Sequence, residues 1–252
     1  MFYSTTTIPP PGSDAHVELQ QSLPGTIQAH RCHIFLRSDK RPTEFPEKYI
    51  SPIHRALLLR FFRQGVIANS AWYPDASASD VPAATVFTPL AGRLDIPEVS
   101  LENIDAVEKR IKAHLELEGP VSKETGRLVD LYVCTHAARD CRCGEMGGLV
   151  AKALREAAEE WNKSKGAEGV RVRVGEVGHV GGHKYAANVL AYPHGEWFGM
   201  VRPEHALKLL ETLVSSPIRP LTERDPPTWR SHWRGRMGLG KDEQIELFKL
   251  TQ

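Results

Sequence analysis

Residues 127–143 read RLVDLYVCTHAARDCRC. The apolar run at 127–134 predicts a β-strand that ends at Cys134. Cys143 follows nine positions later along a polar segment, which gives the spacing C-x8-C. Because the loops at strand ends of an α/β sheet usually gather ligands, we expect a functional site at the end of this strand.

A second segment, 170–183, reads VRVRVGEVGHVGGH. Valine alternates with polar residues and glycine over 170–177, and this period of two predicts another strand. The loop after it carries the motif H-x-G-G-H, with His179 and His183 at its ends. The two glycines between the histidines can take backbone angles closed to other residues, so the loop can fold closely around a metal or a cluster.

The order of predicted elements in the second half is β-α-β followed by β-β-α, as in a thioredoxin-like domain. We therefore expect an α/β fold with a mixed sheet and flanking helices. The remaining predicted elements of this half are a helix at 145–163, strands at 188–192 and 197–201, and a helix at 203–214.

The first half also alternates strands and helices, which leaves open a degenerate second thioredoxin-like copy. Its predicted elements are a strand at 30–37, a helix at 53–64 capped by Ser51, a strand at 85–87 and a helix at 100–115. The predicted organisation is a disordered lead-in at 1–25, an N-terminal α/β domain at 26–118, a polar linker within 116–125, a thioredoxin-like domain at 126–216 and a C-terminal tail at 217–252.

Composition excludes several classes of protein. The chain has 252 residues, 41% of them hydrophobic and 25% charged, which is typical of a soluble globular protein with a full core. A net charge of +1 does not favour a nucleic-acid surface, and no apolar run approaches the ~18–20 residues of a membrane helix. The first arginine is Arg31, and no basic residue precedes an apolar core near the N-terminus. We therefore expect neither a secretory signal nor a mitochondrial presequence. The protein is expected in the cytoplasm.

The candidate site consists of Cys134, Cys143, His179 and His183. A lone buried cysteine is usually an apolar thiol, but two thiolates and two imidazoles from two loops make a complete ligand set for a metal or an iron–sulfur cluster. The residues alone leave the metal open, because Cys2His2 is a closed zinc set and also the ligand set of Rieske [2Fe–2S] centres. Cys141 forms a C-x-C with Cys143 and could compete as a ligand.

Three segments carry a family resemblance: THAARDCRCG at 135–144, HVGGHKYAANV at 179–189 and YPHGEWFGMV at 192–201. With the pattern C-x8-C followed by H-x-G-G-H, the chain resembles the sucrase/ferredoxin-like family of thioredoxin-like ferredoxins, which are well represented in fungi. The resemblance implies that Cys141 is not a ligand and that a [2Fe–2S] cluster is held by Cys134, Cys143, His179 and His183.

The resemblance implies an electron-transfer protein that serves a redox partner protein, a reductase or an acceptor, rather than an enzyme with its own substrate. Neutral imidazoles in place of two thiolates should raise the reduction potential above that of an all-cysteine ferredoxin. The outer imidazole N–H groups should couple electron transfer to proton transfer.

Two alternatives stay open: a zinc-stabilised structural or interaction module, and a thiol–disulfide oxidoreductase on the same fold. Against the oxidoreductase, the sequence lacks a C-x-x-C at a predicted helix start. The sequence also lacks the G-x-S-x-G, H-E-x-x-H and P-loop motifs of common hydrolases and nucleotide-binding proteins.

The C-terminal segment mixes aromatic and basic residues. Given the net charge of +1, we expect its tryptophans to pack onto the domain and its arginines to be solvated, rather than a nucleic-acid surface. The residues concerned are Trp229, Arg230, Trp233, Arg234 and Arg236.

Overall fold

The computed structural model describes residues 10, 12–13, 18, 22–74, 81–117, 127–164 and 169–251. Within these residues a mixed sheet of nine strands has helices packed against it. The strands are β1 (Cys32–Arg37), β2 (Val66–Trp72), β3 (Ala84–Thr88), β4 (Gly92–Ile96), β5 (Leu128–Cys134), β6 (Arg171–Val177), β7 (Val189–Tyr192), β8 (Glu196–Phe198) and β9 (Trp233–Arg236). The α-helices are α1 (Pro52–Arg60), α2 (Ile104–Leu115), α3 (Cys141–Ser164), α4 (Ala206–Val214) and α5 (Lys241–Leu250). Short 3-10 helices lie at Pro42–Glu44, His183–Tyr185, Pro203–His205 and Arg230–His232.

The second half has the expected thioredoxin-like arrangement. Its elements follow as β5-α3-β6-β7-β8-α4, with β5 parallel to β6 and antiparallel to β7, and with β7 antiparallel to β8. Cys134 and Val177, the last residues of β5 and β6, are paired across the ladder. Because parallel strands end at the same edge of the sheet, the segments that carry the C-x8-C and H-x-G-G-H motifs leave the sheet side by side.

The first half repeats this arrangement as β1-α1-β2-β3-β4-α2. Its strands take the order β4-β3-β1-β2, with β1 parallel to β2 and antiparallel to β3. The halves join where β2 pairs antiparallel with β6, at Ala71–Val177 and Trp72–Glu176. The domain boundaries stay a prediction, and most of the expected linker at 116–125 lies outside the described residues.

Two strands of the first half were not predicted from the sequence. Strand β2 reads VIANSAW, and its apolar pattern is interrupted by Asn69 and Ser70. Strand β4 is short and begins at Gly92, which has a φ of +69°. Helix α1 begins after the expected Ser51 cap, whose side chain accepts a hydrogen bond from the His54 N–H, but it ends at Arg60.

The segment at 217–252 is not a tail. It contributes α5 and β9, and β9 pairs antiparallel with β8. Trp229 and Trp233 are buried as expected, but the expectation of solvated arginines is wrong for Arg234 and Arg236, which are 1% and 0% exposed. Hydrogen bonding explains the burial, since the Arg236 guanidinium pairs with Glu196 at 2.5 Å and donates to backbone carbonyls.

The predicted lead-in at 1–25 falls mostly on residues that the structure does not describe, but its last residues are ordered. Leu23 is buried with Tyr185 and Met200. The Gly25 N–H donates to the carbonyl of Arg234 at 3.0 Å. The chain at 22–25 therefore packs against the C-terminal segment instead of forming part of a disordered lead-in.

Helix α3 begins four residues before its predicted start, so Cys141 and Cys143 lie in its first turn rather than in a loop. The Asp140 carboxylate accepts a hydrogen bond from the Arg142 N–H at 3.0 Å and caps this turn. Further along, Gly147 lies against the end of β5, where a Cβ would overlap the carbonyl oxygen of Cys134. This backbone contact sets the position of the helix relative to Cys134.

The Glu176 carboxylate lies at the joint between the two halves and is fully buried. Arg41 donates two hydrogen bonds to it, at 2.8 and 2.7 Å, and Arg155 of α3 and the Thr135 hydroxyl donate one each. Burial alone would raise the pKa of Glu176, but the hydrogen bonds from Arg41, Thr135 and Arg155 outweigh burial and lower it.

None of the helices in the described part of the chain combines the length and apolar character needed to cross a bilayer.

We expect Gly147→Ala to lower the free energy of unfolding of the metal-free protein by about 1–3 kcal/mol, the range for overpacking, because the new methyl group meets the Cys134 carbonyl. Gly148→Ala is the matched control, since a Cβ there would meet no atom within 4 Å apart from its chain neighbours and the local helix backbone. It should raise stability by about 0.5–1 kcal/mol through helix propensity. Urea unfolding measures both, and equal effects of the two substitutions would contradict the contact.

We expect Glu176→Gln to lower the free energy of unfolding of the metal-free protein at pH 7 by about 3 kcal/mol. This value is at the low end of the range for breaking a buried ion pair, because Arg41 and Arg155 are partly exposed to water. The folded pKa lies below the unfolded value, so this stabilisation exists above pH ~4.3 and is lost as the pH falls through the folded pKa. Urea unfolding at several pH values should show the gap between wild type and variant closing in acid. Glu159→Gln, at an exposed position of α3, is the control.

Candidate functional site

Cys134 ends β5 and is 1% exposed. The Cys143 thiol donates a hydrogen bond to its sulfur, and this is the largest cause of a Cys134 pKa well below the usual value. Burial opposes the shift, while His179 and the backbone N–H groups of His136 and Val180 add to it. The sulfur of Cys134 is therefore held in surroundings that favour a thiolate.

Cys143 is also 1% exposed. Its pKa is raised because its proton is shared with Cys134, and burial acts in the same direction. Cys141 lies on the same turn of α3 but is exposed. The structure therefore separates the two cysteines of the C-x-C, bringing Cys143 to Cys134 and leaving Cys141 at the surface.

His179 follows β6 and contacts Cys134 through its side chain. Its carbonyl accepts a hydrogen bond from the Asn69 amide at 2.9 Å, and its N–H donates to the His136 ring at 3.3 Å. The Nδ1 atom of His179 is buried without a hydrogen-bond partner among the described residues. An unpartnered buried ring nitrogen beside two cysteines is the chemistry expected of a metal ligand.

His183 is more open than His179, with 46% of its side chain exposed. The ring centroids of the two histidines are 5.8 Å apart. The Nε2 atom of His183 is 3.9 Å from a carboxylate oxygen of Asp140, the residue that caps α3. His183 therefore lies on the solvent side of the candidate site.

The four predicted residues meet as a chain of neighbours: Cys143 with Cys134, Cys134 with His179, and His179 with His183. Within the described ranges, no three His, Cys, Asp or Glu side chains are already arranged around one metal position. The donor types and the unpartnered His179 nitrogen fit a [2Fe–2S] cluster or a zinc ion, and they do not distinguish the two.

Sequence reasoning missed the residues that support the H-x-G-G-H loop from behind. The Arg234 guanidinium donates to the Gly181 carbonyl at 3.2 Å and to the Asn188 amide oxygen at 2.8 Å, and the Asn188 amide nitrogen donates to Gly182. Gly182 has a φ of +69°, and a Cβ there would overlap the guanidinium. The two glycines had indicated a crowded loop, but no signal in the sequence identified Arg234 as its neighbour.

The first half of the chain supports the same loop. Asn69 of β2, which donates to the His179 carbonyl, pairs through its own oxygen with His33 at 2.8 Å. The other ring nitrogen of His33 pairs with the Tyr192 hydroxyl at 2.8 Å. Burial holds the pKa of His33 well below its usual value, so this ring is neutral. A buried hydrogen-bond chain therefore runs from β7 through β1 and β2 to the loop.

Searches against curated proteins found relatives that share about 30% of their residues with this chain. The protein named altered inheritance of mitochondria protein 32 from Meyerozyma guilliermondii is 29% identical over 152 residues, covering 58% of this chain and 52% of that protein. Actin patches distal protein 1 from Saccharomyces cerevisiae is 30% identical over 164 residues, covering 61% and 47%. This chain thus spans about half the length of the curated relatives that it matches.

Among solved structures, a thioredoxin-like [2Fe–2S] ferredoxin from Aquifex aeolicus is similar over 38% of this chain and 93% of its own, with 18% identity and a TM-score of 0.30. This likeness is too weak to support an argument about the site. The sucrase/ferredoxin-like family model, in contrast, matches residues 23–235, which include both ligand motifs and extend to Arg234 on β9. This chain therefore belongs to the sucrase/ferredoxin-like family.

Proposed function

We propose that this chain is an electron-transfer protein whose [2Fe–2S] cluster is held by Cys134, Cys143, His179 and His183. The observation that carries the proposal is the buried His179 Nδ1 atom, which has no hydrogen-bond partner in the described part of the chain, beside a hydrogen-bonded pair of cysteines. Eight other buried side-chain atoms of the described residues also lack a hydrogen-bond partner, so the weight of this observation comes from the place of His179 next to Cys134 and its hydrogen-bonded partner Cys143.

The chain's own groups suit an iron–sulfur cluster in other respects. The backbone N–H groups of His136 and Val180 donate to the Cys134 sulfur, and hydrogen bonds to ligand sulfur are one of the means by which a protein sets a reduction potential. A bound cluster supplies one-electron chemistry, with a potential above that of an all-cysteine site. Burial of both cysteines excludes water from their side of the site.

Access from solvent lies on the histidine side. His183 is half exposed, and a cleft of about 360 Å³ beside His179 is lined in part by Phe45, Tyr49 and Arg139. A redox partner protein, a reductase or an acceptor, would approach here, because the cysteines lie below the surface. The existence of such a partner stays a prediction.

A thiol–disulfide oxidoreductase is the second candidate. Cys141 and Cys143 lie in the first turn of α3, but their spacing is C-x-C, so the objection that no C-x-x-C stands at a helix start still holds. The hydrogen bond between Cys134 and Cys143 favours a dithiol pair. Burial weighs against it, since Cys134 and Cys143 are each 1% exposed and a substrate disulfide must reach the attacking sulfur. A zinc-stabilised module would use the same four ligands.

Cytoplasm is kept as the proposed compartment. The name altered inheritance of mitochondria protein 32 describes those relatives and not this chain. Subcellular fractionation is the direct test of where this chain is located.

We expect protein purified without oxygen to contain two irons and two sulfides per chain, and to give a reduced EPR signal of the Rieske type after dithionite. Replacing any one ligand, as in Cys134→Ser, Cys143→Ser, His179→Ala or His183→Ala, should abolish or strongly change this signal. Cys141→Ser and Cys32→Ser are the matched controls, because one thiol is exposed and the other is buried in the first half, and both should keep full iron content.

The same samples separate the alternatives. One zinc per chain without colour would favour the structural module. A metal-free protein that resists anaerobic reconstitution, and in which Cys134 and Cys143 form a reversible disulfide, would favour the oxidoreductase. Loss of iron in Cys141→Ser would overturn the proposed ligand set.

Proton coupling at the histidines is part of the same proposal. The exposure of His183 supports it, because a half-exposed imidazole can exchange a proton with water when the cluster gains an electron. We expect the reduction potential to fall with rising pH, measured by spectroelectrochemistry. A constant potential from about pH 6 to 10 would contradict the coupling while leaving the cluster assignment intact.

A further inference from the structure

Arg234 is a buried cation without a partner of opposite charge in the described residues. It is 1% exposed, and no carboxylate of the described chain forms an ion pair with it. Burying a charge costs free energy unless another charge or several hydrogen bonds compensate. Arg236, two positions along the same strand, has such a partner in Glu196 at 2.5 Å.

Neutral oxygens satisfy the Arg234 guanidinium. It donates to the Thr26 carbonyl and hydroxyl at 2.8 and 3.1 Å, to the Gly181 carbonyl at 3.2 Å and to the Asn188 amide oxygen at 2.8 Å. It also lies over the Tyr185 ring, 5.1 Å from the centroid. These contacts fix the guanidinium directly behind the loop between His179 and His183, and none of them neutralises its charge.

The groups whose negative charge would act on Arg234 are Tyr185 and the two cysteines of the candidate site. Burial lowers the pKa of Arg234 to about 10, while Tyr185, Cys134 and Cys143 oppose that change. The side chain stays protonated at neutral pH, and of these three groups the cysteines are the ones that become anions when they bind a metal. The compensating charge for Arg234 is therefore the negative charge that develops at the site.

We propose that Arg234 is a positioning residue that holds the Gly181–Gly182 turn by hydrogen bonds and, through its buried charge, favours the reduced form of the cluster. This inference rests on the proposed function, and it adds to it the part of the chain that sets the reduction potential. It also gives the C-terminal strand β9 a role in the redox reaction.

The redox step is a one-electron transfer. A bound cluster would gain one electron from a one-electron donor, the proposed partner protein in the cell or dithionite in the test, and the donor would be oxidised by one electron. No bond to Arg234 forms or breaks, and its proton stays in place. Since two thiolates and two neutral imidazoles already balance a [2Fe–2S]²⁺ core, the added electron leaves one negative charge at any pH where the histidines take up no proton with it, and a buried cation stabilises that charge.

The test is the reduction potential of reconstituted variants, measured by spectroelectrochemistry at low and high salt. Arg234→Gln should shift the one-electron equilibrium at least tenfold toward the oxidised form, which is 59 mV for a one-electron couple. Arg234→Lys keeps the charge, and its one-electron equilibrium should stay within about threefold of that of wild type. Asn188→Asp places a carboxylate against Arg234 without removing it, and should lower the potential in the same direction as Arg234→Gln.

Lys184→Gln is the matched control, because it removes the same charge from an exposed side chain next to His183. Its effect should be smaller and should vanish at high salt, whereas the effect of Arg234→Gln should persist, since salt screens exposed charges more than buried ones. Melting temperatures of the metal-free variants report the structural part of the role. If Arg234→Gln does not fold, the reduction potentials of Asn188→Asp and Arg234→Lys still test whether the charge of Arg234 affects the cluster.

The two proposals fail in different ways. Wild-type protein that takes up no iron overturns the proposed function and this inference together. The inference alone is overturned if wild-type protein carries the cluster but Arg234→Gln or Asn188→Asp shifts the one-electron equilibrium by less than twofold. A potential lowered as much by Arg234→Lys as by Arg234→Gln would assign the effect to loop position and reject the role of charge.

Discussion

The rest of the site depends on the hydrogen bonds that the buried carboxylate of Glu176 accepts. Among the described strands, the two halves of the sheet join through one short ladder between β2 and β6, and Glu176 is one of its residues. Through this carboxylate, Arg41 of the first half, Arg155 of α3 and Thr135, the residue after Cys134, are tied to one point. The start of the cysteine segment and the joint between the halves therefore hold their positions together.

Around this point the two thioredoxin-like copies have different tasks. The second copy provides all four candidate ligands, at the end of β5, at the start of α3 and in the segment that follows β6. In the first copy, β1 ends at Arg37 where β5 ends at Cys134, so it has no cysteine at the corresponding strand end. It contributes support instead, since Asn69 and His33 hold the histidine loop from the neighbouring strands.

The sequence predicted what is local and could not predict what is distant. The strand before Cys134 and the strand before His179 follow from short apolar patterns, and the ligand motifs adjoin them. The early start of α3 was hidden because the glycines of its first turns weaken a helical pattern. Arg234 resembled a solvated arginine, since its burial depends on Thr26, 208 positions away in the chain. A pattern within one segment carries no information about such a partner.

That long separation has a consequence for biosynthesis. The histidine loop is made well before β9, yet the guanidinium behind it belongs to β9 and also binds Thr26 near the beginning of the described chain. During translation the loop and both cysteines leave the ribosome without this support. Because Arg234 contacts this loop, the loop reaches its described form only after β9 has emerged and paired with β8, so the proposed cluster would meet a finished site only after the C-terminal strand has been made.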